Sequence, residues 1–412
     1  MSQGRVDLFF INIAEILTCE SRNSNLTGGI TAGALAVQGE KIIAVGEEHE
    51  LAGQFDLSRA EVVNLQGKIL APGFVDCHTH AVFGGSRVQE YALRMTRTTE
   101  EIHRLGIPTG IPATVETTRR ASEEELLLSA ASRLKNMLQA GTTTVEIKSG
   151  YGLDSETELK MLRVNRLLAE FPGPQVISTL LGAHAFPADR PPERYLEEVI
   201  TEMIPRAAAA GLADFCDVYV DAGYFNVAQA RQVLLTARAA GLKLKIHADQ
   251  YSAQGGSELA AELSAVSADH LNYTSPETLA RLADAGVVAV LMPLIDFAVR
   301  HPKPIDGRKV LSSGVPVALA TDLCPGGWTE SMQLVMQFAC RQHGFSPAEA
   351  LLAATIGGAR ALALEDRGLL APGYLADLQV WDTPIFEDVI YRLGSNLVDR
   401  VYQRGKLTYL RS

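Results

Sequence analysis

From about residue 72 to residue 368 the chain alternates short, nearly continuous apolar runs with longer amphipathic stretches, the pattern of buried strands joined by helical crossovers. Eight strands are predicted, near 73–77, 142–148, 175–182, 215–221, 243–247, 266–269, 287–292 and 316–321. Eight is the strand number of a closed parallel barrel, and such a barrel accounts for about 250 residues. The helices carry their own start and stop signals. Ser122 with Glu125 forms a capping-box pattern, followed by apolar positions 127, 131, 134 and 138 and a stop at Gly141; Ser346, Pro347 and Glu349 repeat that logic with proline at the first helical position. Residues 86–120 fit no simple crossover and have room for extra helix and loop. A segment following the first barrel strand lies over the rim where such barrels bind substrate, so it is expected to help recognise one.

Outside that span the texture changes. Leu35–Gly39, Ile42–Gly46 and Val62–Gly67 are apolar runs broken by glycine turns, and Ala376–Trp381 and Val398–Gly405 return to the same pattern. This predicts a small antiparallel β module built discontinuously from both termini, with residues 1–71 and 369–412 flanking a barrel at 72–368.

The strand ends carry the chemistry. Five of nine histidines close four apolar runs, as His78 and His80, His184, His247 and His270, and a fifth run, Val317–Thr321, closes on Asp322. Residues two apart on a strand share a face, so His78 and His80 can grip one ion together, and the ends of barrel strands converge on one pocket. A single histidine here reads equally well as a hydrogen-bonded core residue. Recurrence of the placement on further strands favours a metal site of His78, His80, His247 and Asp322, with one position left for water. A closed structural zinc site would instead favour thiolates on compact loops. An open site makes a water nucleophilic near neutral pH and polarises a carbonyl. Asp322 is placed to take the first proton and His270 to transfer one or stabilise the transition state; His184 reads equally as proton carrier or substrate hydrogen-bonder. Arg87, after Gly84-Gly85-Ser86, should present its planar fork to a substrate carboxylate, and Tyr151 could add a hydroxyl. Lys148 could be a carbamylated bridge between two metals, but such a bridge belongs on the fourth strand, which ends at Asp221; one metal is expected. Cys77 and Cys324 are weaker ligand candidates, and His49, His103, His301 and His343 are expected to be surface residues.

Composition narrows the partners. A net charge of −11 disfavours nucleic acid and anionic membranes, which demand a basic face, but permits a small anionic substrate in a locally positive cleft. No run approaches the roughly 18 apolar residues that span a bilayer, and Leu8–Leu17, with Glu15 inside it and Asp7 before it, reads as a strand rather than a signal peptide. Five scattered cysteines without a Cys-x-x-Cys pair suit reduced thiols, so a cytoplasmic location is expected.

Seven stretches together resemble the imidazolonepropionase family of the amidohydrolase superfamily over nearly the whole chain: Pro72–His80, Val82–Arg87, Gly141–Gly152, Gly182–Ala185, Lys245–Asp249, Ser267–His270 and Leu319–Asp322. The His-x-His element is general to the superfamily, whereas Phe83-Gly-Gly-Ser-Arg87 and Lys148-Ser-Gly-Tyr-Gly152 are far more specific. The resemblance implies a (β/α)8 barrel with an appended β-sandwich, and one zinc or iron at His78, His80, His247 and Asp322. It further implies substrate contacts from Arg87, Tyr151 and His184, a homodimer, and hydrolysis of the ring amide of 4-imidazolone-5-propanoate; Gln250 is expected to contact substrate beside them. The chain departs from the family pattern where Gln250 replaces an acidic residue, in Pro108–Pro112, at Glu100 and in Cys324–Gly327. These changes leave a deaminase or another heterocycle hydrolase on the same scaffold as the alternative enzyme, and a catalytically silent binding protein as the alternative outside enzymes.

Overall fold

The computed structural model of the chain describes residues 4–21 and 25–411; positions 1–3, 22–24 and 412 of the expected terminal module lie outside the described residues. Eight parallel strands are hydrogen-bonded in chain order: β1 (Phe74–Asp76), β2 (Thr142–Lys148), β3 (Gln175–Ala183), β4 (Phe215–Val220), β5 (Lys243–Ala248), β6 (Ser267–His270), β7 (Val288–Leu291) and β8 (Val317–Leu319). All eight fall where the apolar runs predicted them. The ring closes beyond the ends of β1 and β8: the Asp322 amide donates to the His78 carbonyl at 3.1 Å and the His80 amide to the Leu323 carbonyl at 2.8 Å. The Asp76 carboxylate accepts from both the amide and the hydroxyl of Thr321, at 3.1 and 2.5 Å. Closure is therefore made by the same two segments that carry three of the expected metal ligands.

Both predicted capping boxes form. Ser122 opens the helix Glu123–Gln139 and Ser346 the helix Pro347–Leu352, each with the reciprocal glutamate contact. The buried face of Glu123–Gln139 is Leu126, Ala130, Arg133, Leu134, Met137 and Leu138, so of the expected positions 134 and 138 are buried while 127 and 131 are half-buried beside Leu126 and Ala130. Arg133 is buried on the same face. Its guanidinium packs 3.7 Å from the Phe83 ring centre and donates to the Ala81 carbonyl at 2.7 Å, pinning the segment after β1. Residues 86–120 hold three helices, Val88–Arg94, Thr99–Arg104 and Gly110–Arg120.

Both termini join one seven-stranded sheet, in the order Lys406–Leu410, Val398–Gln403, Leu378–Trp381, Glu61–Pro72, Leu8–Leu17, Gly29–Gln38, Lys41–Glu47, with a two-stranded sheet of Gly4–Arg5 and Phe55–Asp56 beside it. This is the β-sandwich of the expected fold class. It is mixed rather than wholly antiparallel, because Leu8–Leu17 runs parallel to Glu61–Pro72. Glu61–Pro72 leads straight into β1. Its pairing with Leu378–Trp381, and the Phe74 and Trp381 rings 6.0 Å apart, seat the terminal sheet against the barrel. No helix among the described residues is long and apolar enough to cross a membrane.

Candidate metal centre and substrate pocket

The ends of β5 and β6 and the segments just beyond β1 and β8 bring their side chains to one point at the C-terminal rim. Ligand-type atoms lying mutually within 4.8 Å form two groups sharing His78: His78, His80 and Asp322, and His78, His247 and His270. The Nε2 atoms of His78 and His80 each lie 3.7 Å from Asp322 Oδ1, and the His78 and His247 ring centres are 4.5 Å apart. The four residues expected to share an ion are thus brought together, and His270 joins them, its ring 5.4 Å from His78 and 5.3 Å from His247. Backbone conformation brings it there. Adjacent strand residues normally face opposite ways, yet Asp269 and His270 both face this centre because His270 sits at φ 79°. Asp249, Leu271 and Asp322 are also left-handed, at φ 53°, 65° and 48°, conformations that cost about 1–3 kcal/mol each and cluster at functional sites.

Beneath the histidines lies a charged layer that sequence reasoning missed. Asp269 Oδ2 is 2.6 Å from His78 Nδ1, and Asp217 Oδ2 is 2.9 Å from His247 Nδ1. Lys148 ties these carboxylates together, its ammonium 2.8 Å from Asp217, 3.4 Å from Asp269 and 2.8 Å from Glu146. Charges from Asp217, Glu146 and Asp269 outweigh burial and hold the Lys148 amine above its usual range, so it is an ammonium committed to three carboxylates and is not a carbamylated bridge. The available signal was alternation: Glu146 and Lys148, Asp217 and Tyr219, Lys245 and His247, Ser267 and Asp269 put polar residues at every second position of otherwise apolar strands.

The donor set fits a divalent cation. A carboxylate against Nδ1 fixes each imidazole with its proton on Nδ1 and its lone pair on Nε2. His78 Nε2 and His247 Nε2 are both buried without a hydrogen-bond partner among the described residues. Burial, reinforced by neighbouring histidines and Lys148, holds the His78 imidazole well below its usual range, and burial with His184 and His78 does the same for His80, so both stay neutral. The buried centre is also short of positive charge: Asp76, Glu146, Asp217, Asp269 and Asp322 face only Lys148 and Lys245. Burial pushes the Asp322 carboxyl well above its usual range, with Asp76 and Asp269 adding to the effect against Lys148. A metal dication would reverse that shift.

Above the centre is a cavity of about 340 Å³ lined by His80, Tyr151, His184, His247, Gln250, His270 and Asp322, together with Arg87, Arg94, Tyr219, Cys324 and others. All four residues expected to contact substrate are on its wall. His184 stacks on His80 with ring centres 5.1 Å apart, and its Nδ1 donates to the Gly150 carbonyl at 2.9 Å. Burial, with His247 adding, lowers its imidazole to about 3, leaving Nε2 as an acceptor. Gly150 has no substitute here: it sits at φ +110°, and a Cβ on it would lie 2.8 Å from His184 Nδ1. Glu158 accepts from the amides of Gly150, Gly152 and Leu153 at 2.7, 2.7 and 2.8 Å, bracing the turn that carries Tyr151. Gln250 Oε1 accepts from the Tyr219 hydroxyl at 2.8 Å, which directs its NH2 as a donor.

Several expectations change. Arg87 does not present its whole fork: Nε and Nη2 bind Glu90 at 2.6 and 2.7 Å, leaving the Nη1 side for the cavity. Asp221 serves as a loop brace, accepting from the Ala222 and Tyr251 amides at 2.8 and 2.7 Å and from the Ser252 hydroxyl. His301 and His343 are buried rather than exposed; His301 Nε2 donates to the Gln250 carbonyl at 2.9 Å, and His343 Nδ1 lies 2.6 Å from the Ile305 carbonyl. His49 and His103 are exposed as expected. Of the departures from the family pattern, Gly110, Ile111, Cys324 and Gly326 reach the cavity wall, whereas Glu100 is exposed on the helix Thr99–Arg104 and is not part of that wall. Burial pushes the Cys324 thiol up to about 12, and Cys77 is fully buried with its thiol raised further, so neither offers a ready thiolate.

A barrel rim that gathers imidazoles and a carboxylate, with His78 and His247 each set by a carboxylate behind it, defines a metal-dependent hydrolase of the amidohydrolase type. The amidohydrolase family matches residues 69–408. The imidazolonepropionase of Alkaliphilus metalliredigens (strain QYMF) is 41% identical over 417 residues, covering 98% of each chain, and that of Geobacillus kaustophilus (strain HTA426) is 43% identical over 387 residues, covering 92% of this chain and 91% of its own. The chain belongs to the amidohydrolase family and, within it, to the imidazolonepropionases. Solved structures bear on the fold alone: a zinc-bound adenosine deaminase from Xanthomonas campestris superposes with a TM-score of 0.71 at 19% identity over 98% of this chain and 92% of its own, and the E. coli guanine deaminase with 0.74 at 17% over 98% and 99%.

Proposed function

We propose that the chain hydrolyses the ring amide of 4-imidazolone-5-propanoate to N-formimino-L-glutamate in histidine degradation, with one zinc or iron ion held by His78, His80, His247 and Asp322. The observation that carries this reading is the pair of unpartnered Nε2 atoms on His78 and His247, facing Asp322 at the floor of a cavity with Arg87 on its wall. When bound, the ion supplies Lewis acidity, making water nucleophilic and drawing charge from the amide carbonyl.

The residues do the rest. Arg87 binds the propionate through its free Nη1 side and sets the ring over the floor. His184 Nε2 accepts a hydrogen bond from a ring N–H, and the Gln250 NH2 donates to an acceptor on the ring. Asp322 takes the proton of the attacking water, whose oxygen forms the new C–O bond. His270, close beside the ligands, stabilises the oxyanion, and the proton taken up by Asp322 is relayed through His270 to the ring nitrogen as the C–N bond breaks. Lys148, Asp217 and Asp269 hold the His78 and His247 imidazoles in the ligating tautomer throughout. A homodimer, expected from the resemblance, is checked by light scattering.

The test is loss of ultraviolet absorbance when freshly prepared imidazolonepropionate meets metal-loaded protein. Turnover without ammonia release supports ring opening; ammonia release would point to a deaminase. Absence of turnover, or an Arg87→Ala variant with unchanged kcat/KM, overturns the assignment.

A further inference from the structure

Arg87 and Arg94 both line the cavity, and so does Gly110, yet the group that joins them does not. That group is Glu90, 3% exposed, on the first helix after β1. Its carboxylate receives Arg87 Nε at 2.6 Å and Arg87 Nη2 at 2.7 Å, Arg94 at 2.7 Å, and the Gly110 amide at 3.2 and 3.3 Å. A guanidinium fork, one nitrogen of a second arginine and a backbone N–H converging on one carboxylate is how proteins recognise carboxylates of ligands. Here the carboxylate belongs to the chain itself.

We infer that Glu90 is a specificity-determining positioning residue: a built-in carboxylate just behind the cavity wall that occupies the anion position between Arg87 and Arg94, so that the pocket takes a heterocycle with one carboxylate and rejects one with two. The inference rests on the proposed function for the identity of the substrate, not for the existence of the pocket. Two consequences follow from the geometry. Glu90 holds one edge of the Arg87 guanidinium, turning the Nη1 side toward the cavity, where it lies 3.4 Å from the position a Cβ on Gly326 would take. It also reduces the local charge of Arg87 and Arg94 from two to one, matching a monoanion. The helix Val88–Arg94 and the start of Gly110–Arg120 are tied through the same carboxylate, so the recognition segment is pinned at the point where it selects its ligand.

The test compares wild type with Glu90→Ala and Glu90→Gln, loaded with metal. Competitive inhibition is measured for an imidazole bearing one propionate and for its analogue bearing two carboxylates. Glu90→Ala should shift the ratio of inhibition constants toward the dicarboxylate by about tenfold or more, the scale of one charge-assisted contact. Its kcat/KM for imidazolonepropionate should fall and be restored in part by added formate, which fills the vacated position, while formate leaves wild type unactivated. Glu90→Gln keeps the volume and should move the ratio the same way without formate rescue, which covers the case in which the alanine variant does not fold. An unchanged ratio in both variants, or no formate effect in a folded Glu90→Ala protein, overturns the inference. If wild type does not turn over imidazolonepropionate, the proposed function fails instead, and calorimetric binding of the two inhibitors still decides the role of Glu90.

Discussion

Replacing Asp217 by asparagine changes one oxygen to NH2 and removes one charge at a fully buried position, and its effect can be worked from the contacts. Asp217 Oδ2 accepts from His247 Nδ1 at 2.9 Å and Lys148 Nζ at 2.8 Å; Oδ1 accepts from the Val218 amide at 2.7 Å and the His247 amide at 3.1 Å. All four partners are donors, so an amide must set its NH2 against two of them whichever way it turns. With the amide oxygen kept on the backbone amides, the NH2 faces His247 Nδ1, and the imidazole recovers that hydrogen bond only by moving its proton to Nε2. That is the atom it would give to the metal. Loss of a carboxylate behind a ligating histidine lowers metal affinity by about 10–100-fold, or about 1.4–2.7 kcal/mol. Lys148 is then the one stranded donor in the metal-free protein, a loss of stability of about 1–3 kcal/mol, softened where Lys148 leans on Glu146 and Asp269. The assay is competition with a chromophoric chelator at fixed pH, alongside thermal unfolding of the metal-free protein. Metal affinity within twofold of wild type, with an unchanged Tm, would refute the claim that Asp217 sets the His247 tautomer.

Four further outcomes are expected. His270→Ala should lower kcat by about a hundredfold with metal content retained, as general acid–base groups contribute; loss of metal instead would make His270 a ligand, and near-normal turnover would remove it from the mechanism. Gly150→Ala should reduce Tm and raise KM together, since its Cβ would press on His184 Nδ1 from a left-handed backbone; unchanged kinetics would show that His184 does not touch substrate. Burial alone would raise the Glu90 carboxyl, but the hydrogen bonds and charge of Arg87, with Arg94 and the Gly110 amide, hold it below its ordinary 4.5. Its stabilising contribution is therefore present above about pH 4.5 and lost as pH falls through the lower folded value, so Glu90→Gln should flatten the acid limb of Tm against pH, and an identical limb would contradict this. Lys148→Met, similar in length but uncharged, should leave three buried carboxylates without their shared cation and destabilise the protein by about 3–5 kcal/mol; an unperturbed denaturation midpoint would rule out the charged layer as described.

Much of the molecule was legible in the order of its residues because the features concerned are local. The eight barrel strands, the caps at Ser122 and Ser346 and the terminal β module all follow from runs, alternation and turn residues within a few positions of one another. So does the pairing of His78 with His80, since a strand puts alternate residues on one face wherever it lies. What periodicity misjudged were residues whose environment comes from distant chain. His301 and His343 read as surface yet are buried. Glu100 looked like part of a substrate loop and is exposed.

By itself, then, the sequence determined which elements form and which side chains of metal-binding type stand at their ends. Only tertiary structure decided how those ends act on one another. The register of β5 against β6 sets His247 opposite Asp269, the bend at His270 turns it inward beside Asp269, and closure of β8 on β1 carries Asp322 to His78. The same assembly put Lys148 between Asp217 and Asp269 and Glu90 behind Arg87. The physical reason is range: propensity and alternation act over a few residues, whereas the tautomer of a buried imidazole or the direction of a guanidinium depends on a partner that strand register or helix packing supplies.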